Sequence, residues 1–545
     1  MRLEQRLARI EQHLALGPLA STPPSQAGQS ITATEPTPLR PVSIKPPEAE
    51  ELEFVVGQNW FASVGALVLT CGVGFALSLP WPGQPAAAPS AFGYLLAAGL
   101  LFVARRWQDT FELLASFFRG AGMVLLFFST LRLFFFGSAH AMEIESLGAP
   151  LLLLATAAIN LGVAVRQRSP WLLGLAISMG LLAVLVIGTP WVVFGCIALL
   201  ASFAAWAAVR HQWPGLLVFS IPAVYSTYLL WLINRPWAGR PFQILAEPVV
   251  GIYFLLVYAM IFTAGALRRK EKSLDDPATI AAVLFNCGAG YGIFLLQSLK
   301  METGLFTPAH LTAAIVFLGL AVAFWKSEAS RIPTFFYAMT GYLALSVAIA
   351  RHFPSPEVFI WLSAQSLVVV ATALWFRSRL IVVANFFIYV AIVLAYMVAA
   401  KQESGISLGF GIVALLTARI LNWKKERLEL RTELMRNAYL ASAFVIFPYA
   451  LYHLMPRAYV SLSWVGVALA YYLMNLMVQN PKYRWMGHLT LLLTVGYVVV
   501  VASTEFGSTY RIVSFLVLGT VLLVVSLIFT QVRERRKRAE KNRQT

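Results

Sequence analysis

The residues of this chain that could do chemistry are few, and most of them are basic. The three aspartates, Asp109, Asp275 and Asp276, lie between apolar runs, and no Glu lies in the middle of a run. Proton- and ion-coupled transport ordinarily needs an Asp, Glu or His inside the membrane. This pattern therefore argues against such coupling. The deepest charge is Arg119, seven residues after Glu112 on the same helical face and roughly 10 Å into its helix at 1.5 Å per residue. An arginine at that depth costs several kcal/mol unless it is paired or snorkels to the headgroups. Its expected partners are Glu112, the side-chain oxygen of Asn160 or an anionic ligand, and Gly120 and Gly122 leave room for a close approach. Arg119, Glu112, Asn160 and Arg132 are thus the candidate ligand or cavity residues. For Arg132, near the far end of its span, an anchoring role at the interface competes.

His140, Glu143 and Glu145 form a candidate rim on the periplasmic side. The two glutamates resemble the acidic pair of lipid-linked-sugar glycosyltransferases, but there the pair lies in the first external loop. Here that loop, residues 80–90, has no charge, and the pair equally suits the N-terminus of the next helix, where acid is favoured. His310, His352 and His453 mark other outer helix ends without fixed ligand spacing. Cys71, Cys196 and Cys287 fall in different spans, with no Cys-x-x-Cys. No metal site and no cofactor is expected.

These residues are positioned by apolar runs. The first, from Gly57 to Leu79, carries no charge after Trp60 and is long enough to cross a bilayer as a helix, which takes roughly 20 residues. About eighteen such runs follow one another: 60–79, 88–104, 112–136, 147–165, 170–187, 190–209, 215–233, 248–267, 278–298, 308–325, 333–350, 356–376, 380–400, 405–421, 437–454, 458–478, 485–502 and 511–530. With 59% hydrophobic and 12% charged residues, the chain is an all-α polytopic membrane protein rather than a soluble one. The runs are too long and uniform for barrel strands. Several open on a proline, as at Pro170, Pro190, Pro248, Pro308, Pro333 and Pro356, which suits a first helical turn.

Four segments follow from this reading. Residues 1–20 place Leu3, Leu7, Ile10 and Leu14 at coiled-coil-like spacing on a short amphipathic helix. Residues 21–56 are a proline-rich disordered linker, 57–530 the membrane domain, and 531–545 a basic tail. With the N-terminus in the cytoplasm, most of the 42 Lys and Arg fall in cytoplasmic loops and the tail, as the positive-inside rule requires. The sequence thus predicts a bacterial inner-membrane protein with both termini cytoplasmic. The net charge of +17 is largely a topology signal, with anionic lipid as its partner and no role for nucleic acid. The basic connection from Asn422 to Asn437 is expected to extend the fourteenth span or to lie at the interface.

Gly57, Trp60, Gly65, Gly72 and Phe75, together with the segment from Arg119 to Arg132, resemble the bacterial membrane-protein family called domain of unknown function 2339. That resemblance implies an N-terminal coiled coil, a proline-rich linker and many spans. It implies no established activity and no catalytic residues. An eight-helix internal repeat is also expected. Gly122 and Arg132 of span three match Gly341 and Arg351 of span eleven, and Pro222 of span seven matches Pro448 of span fifteen. A four-helix sub-repeat is suggested by His352 to Pro354 and His453 to Pro456. The buried polar residues Asn160, Asn286, Gln297, Gln365, Asn385 and Asn475 are expected to bond between helices. Gly288, Gly290 and Gly292, like Gly405 and Gly409, are expected to bring helices close.

The reading that fits best is transport or handling of an amphiphile such as an envelope lipid, without proton coupling. It requires a lateral groove or a cavity lined by that polar set. The alternative is a membrane scaffold for envelope protein partners, favoured by a closed bundle. A periplasmic-face lipid-linked transferase is third.

Overall fold

The computed structural model describes residues 61–135, 141–142, 148–234, 240–245, 248–268, 276–327, 331–399, 406–423, 432–502, 512–514, 516–521 and 523. The chain divides between Phe61 and Ala62, and all described residues but Phe61 belong to the second unit. The expected N-terminal helix, the linker, the basic tail and the rim residues His140, Glu143 and Glu145 lie outside the described residues.

Long apolar runs without water to satisfy their backbone must close their hydrogen bonds internally, and the helix does so within one segment. Seventeen helices are described in full: α1 (Phe61–Ser78), α2 (Ala88–Arg106), α3 (Glu112–Leu131), α4 (Gly148–Gln167), α5 (Pro170–Ile187), α6 (Pro190–His211), α7 (Pro214–Leu232), α8 (Gly251–Leu267), α9 (Pro277–Ser298), α10 (Thr303–Lys326), α11 (Arg331–His352), α12 (Glu357–Trp375), α13 (Arg379–Ala399), α14 (Ile406–Trp423), α15 (Thr432–Leu454), α16 (Val460–Val478) and α17 (Pro481–Tyr497). Residues 512–514 and 516–521 are helical as well. Fourteen of the described helices are long and apolar enough to cross a membrane, and four further apolar helices are shorter. The protein is an all-α, multi-pass membrane protein.

Several boundaries differ from expectation, among them the start of α8 at Gly251 rather than Pro248, the start of α17 at Pro481 rather than 485 and the end of α3 at Leu131 rather than 136. Helix α10 begins at Thr303, so Pro308 lies inside it rather than in its first turn. Only one turn precedes the proline, and its first amides bond to Glu302 O, which limits the loss. Residues 424–431 of the basic connection lie outside the described residues; α15 is already helical at Thr432, more than a turn before the expected 437.

Most of the helices pair as hairpins, whereas in the middle of the chain α6 packs mainly on α8 and α7 on α9. Helix α2 packs mainly on α3, α10 on α11, α14 on α15 and α16 on α17, with α4 on α5 and α12 on α13 close behind. Four of the hairpin corners share one backbone solution. Arg168, Gln212, Arg377 and Gln479 each take a left-handed conformation, with φ of 49°, 57°, 51° and 51°. The next residue is extended at Ser169 and Asn480 and lies outside the helical region at Trp213, and a proline then opens the following helix at Pro170, Pro214 and Pro481. Proline forces its predecessor out of the helical region and supplies a ready-made first turn. The left-handed residue lets the next amide reach back over the helix end, as Trp213 N does to Ala208 O (2.9 Å) and Ser378 N to Ala373 O (3.1 Å). At Arg377 the proline is missing, and Arg379 starts the helix instead.

Glycine sets how closely two of the hairpins pack. A Cβ on Gly122 would stand 2.9 Å from Leu101 Cγ and 3.2 Å from Ala97 O on α2. One on Gly341 would stand 2.8 Å from Leu318 Cγ and 3.1 Å from Leu318 N on α10. The two glycines thus do the same work eight helices apart. Pro222 and Pro448 likewise both lie inside continuous helices, α7 and α15. The arginines of the expected repeat do not match, since Arg132 is buried and Arg351 exposed.

One apolar core runs from α3 to α17 and is rich in Ala, Phe and Tyr. Large apolar side chains such as Phe75, Leu95, Phe102, Leu151, Leu199 and Ile315 point outward and are strongly exposed. Lipid, not water, is the solvent such a surface suits.

Candidate functional site

Arg119 lies on α3 with only 8% of its surface exposed. Its Nη2 donates to Gln108 Oε1 at 3.0 Å and to the Ala104 carbonyl at 3.4 Å. Ala104 is in the last turn of α2, whose final carbonyls lack helical partners and carry the negative end of the helix dipole. The guanidinium therefore caps the neighbouring helix. Glu112, exposed in the first turn of α3, makes no ion pair with it.

Asn160 does not meet Arg119. It is fully buried on α4, and its Nδ2 donates to Met123 O (3.1 Å) and to Met179 Sδ (3.2 Å). Its Oδ1 is buried without a hydrogen bond. Arg132 is 2% exposed rather than anchored at an interface. Its Nε donates to Leu77 O at 2.6 Å, in the last turn of α1. Arg436 on α15 is buried as well but bonds side chains, with Nη1 2.5 Å from Asn422 Oδ1 on α14 and Nη2 3.2 Å from Glu433 Oε1. Two buried arginines, Arg119 and Arg132, thus hold carbonyls at the ends of neighbouring helices, and the four candidate ligand residues do not converge on one cavity.

Five of the six residues of the polar set are used between helices, while Asn475 is only half-buried. Asn286 is the centre of the set. Its Oδ1 accepts from Tyr225 OH (2.8 Å), while its Nδ2 donates to Tyr337 OH (2.8 Å), Ala259 O (3.0 Å) and Thr263 Oγ1 (3.3 Å). Four helices, α7, α8, α9 and α11, meet at this one amide. Gln297 accepts from Tyr228 OH (2.7 Å). Gln365 joins Tyr342 O and Ser346, and Asn385 joins Ser366 and Tyr439. His310 lies wholly buried between Tyr291 OH and Ser298 Oγ, each at 3.0 Å. The tyrosines were not foreseen from the sequence. The available signal was a hydroxyl-bearing ring in mid-span, which seeks a partner when buried.

Gly290 explains part of this geometry, because a Cβ there would stand 2.7 Å from Tyr225 OH. Gly288 and Gly292 have no such neighbour. Replacing Asn286 with leucine removes the bonds to Tyr225, Tyr337, Thr263 and the Ala259 carbonyl together. Interhelical bonds in membranes average about 0.6 kcal/mol with a maximum near 1.7. The expected loss is therefore about 1–3 kcal/mol, read as a lower midpoint of unfolding in a denaturing-detergent titration. Tyr337→Phe, which leaves Asn286 its other partners, should lose less.

Open space lies instead at the sides of the bundle. One groove of about 560 Å³ is walled by α13 and α15 over α14, with Phe386, Tyr389, Tyr396, Phe410, Ser442 and Tyr449 among its lining. Tyr389 OH is already engaged by the Phe410 carbonyl (2.7 Å), so the surface offered is aromatic and apolar. That volume falls within the roughly 300–1,000 Å³ of small-molecule sites. Among the described residues, no group of three His, Cys, Asp or Glu could hold a metal ion. No protein-family model, curated protein or solved structure matches the chain.

Proposed function

We propose that this protein handles an envelope amphiphile, holding its hydrocarbon chain in the lateral groove between α13 and α15. The observation that carries the reading is the groove itself, a concavity of about 560 Å³ open at the side of the bundle and lined almost wholly by carbon. The consumption of the polar set in interhelical bonds supports it, since a hydrophilic solute finds few free partners there. The charge distribution supports a bacterial inner membrane and cytoplasmic termini. The glycines and Trp60 of the opening spans support kinship with domain of unknown function 2339.

The test is a lipid carrying a photoactivatable group on its acyl chain, reconstituted with the full chain in nanodiscs. Labelling is expected on groove residues such as Ser442 and Val445. Ala441→Trp, which fills the groove from its α15 wall, should reduce that labelling about tenfold and leave labelling elsewhere unchanged. Equal labelling of both proteins would overturn the proposal. The closure of the polar set also favours the scaffold reading, in which the bundle moves nothing. The labelling result separates the two.

A further inference from the structure

A second groove, of about 570 Å³, lies between α5 and α7 on another part of the surface. Its lining includes Trp171, Leu175, Trp213, Pro214 and Phe219. The two helices are two crossings apart, so they run parallel and begin at the same end. Each begins at a left-handed corner, and each corner carries basic residues. Arg166 and Arg168 end the first, Arg210 and His211 the second. All three arginines are exposed, and none forms an ion pair with a described carboxylate. His211 stacks on Trp213 with ring centroids 4.6 Å apart. The helix starts add to this charge. Neither Ser169 nor Trp213 caps its helix with a side chain, so the amides that follow Pro170 and Pro214 in the first turns of α5 and α7 have no side-chain acceptor.

We infer that the α5–α7 groove is a binding site for an anionic phospholipid. One acyl chain lies between Trp171 and Phe219, and the phosphate sits among Arg168, Arg210 and the two helix starts. Three features fix this occupant together. The groove is apolar along its length, which suits a chain and not a polar ligand. The corner that leads into each wall carries exposed arginines within four residues of the lining, which suits a phosphate and not a neutral headgroup. The tryptophans of the groove stand at the junction of the two, where indole rings favour the membrane interface. The wall is also held in place from behind. Trp171 lies directly over Gly120, where any Cβ would strike the ring, and Phe117 packs on it at 6.2 Å. This site does not depend on the α13–α15 groove.

The test uses the full chain in detergent, exposed to equal amounts of dioleoyl phosphatidylglycerol and phosphatidylcholine, with bound lipid counted by native mass spectrometry. Each basic side chain near an anionic surface changes binding about fivefold. The wild type is therefore expected to retain phosphatidylglycerol over phosphatidylcholine by at least fivefold. Arg168→Asn with Arg210→Gln should erase most of that preference, and asparagine tolerates the left-handed corner. Arg168→Lys with Arg210→Lys should keep it, which separates charge from folding. Gly215→Phe, placed where a side chain meets open space, should fill the groove and lower retention of both lipids. A wild type without preference, a preference that survives in the neutral double variant, or unchanged retention in Gly215→Phe would each overturn the assignment.

Discussion

Replacing Arg119 with glutamate is expected to cost about 3–5 kcal/mol of stability and to leave little correctly folded protein in the membrane. The size follows from what the guanidinium touches. It sits against the Ala104 carbonyl and Gln108 Oε1 at the end of α2, almost wholly out of solvent. A carboxylate there would face acceptor oxygens and the negative end of a helix dipole, with Glu112 as its nearest acid on the same helix. A buried charge left without a partner costs about 3–5 kcal/mol. Arg119→Lys keeps the cation but loses the forked geometry, so it should lose far less. The check is the unfolding midpoint of the three proteins without added ligand. If Arg119→Glu unfolded at the wild-type midpoint, the capping role would be wrong, and a site for an external anion would again be needed to explain the residue.

The second large effect is expected where two hairpins close on glycine. Gly122→Leu and Gly341→Leu should each destabilise the protein by about 3 kcal/mol, because the new side chain meets backbone as well as a leucine. At Gly122 the obstacle is Ala97 O, and at Gly341 it is Leu318 N. Flexible side chains can turn aside, but a neighbouring helix backbone can only move away. Overpacking costs about 1–3 kcal/mol even for small insertions. Gly288→Leu on α9 is the control, since a Cβ there meets nothing within 4 Å. Comparable losses at Gly288 and Gly341 would mean that hairpin packing does not set the effect, since the exchange of glycine for leucine by itself favours the helix.

What the sequence made legible is uneven, and the reason is physical. The existence and approximate ends of the spans follow from apolar length alone, because a bilayer sets one thickness for every crossing. Pro248 stands in a turn three residues before α8, but the prolines at residues 170 and 190 marked helix starts correctly by removing an amide that would lack a partner anyway. Pro308 did not, because proline is also tolerated one turn into a helix. Arg119 could be recognised as buried from its depth in the run. Its partner could not, since Gln108 lies eleven residues away in the connection and is reached only because α3 folds back along α2. The same holds for Asn286. Its amide was visible as a polar residue in an apolar run, but Tyr225 and Tyr337 lie 61 and 51 residues away in sequence. Pairing of this kind is a property of how helices cross, which periodicity within one span does not encode.

The corners at Arg168, Gln212, Arg377 and Gln479 have a consequence for biogenesis. Each reverses the chain within two residues and returns the carbonyls of the ending helix to backbone partners on the spot. A pair of helices joined this way satisfies part of its polar groups at that end before any later neighbour arrives. The pair, rather than the single helix, is then the natural unit to leave the translocon, already folded back on itself. Such units can be appended to a growing bundle one after another, with each new pair meeting the last along its sides. Lengthening the protein by duplication would require only that a complete pair be copied, which leaves the sidedness of everything downstream unchanged.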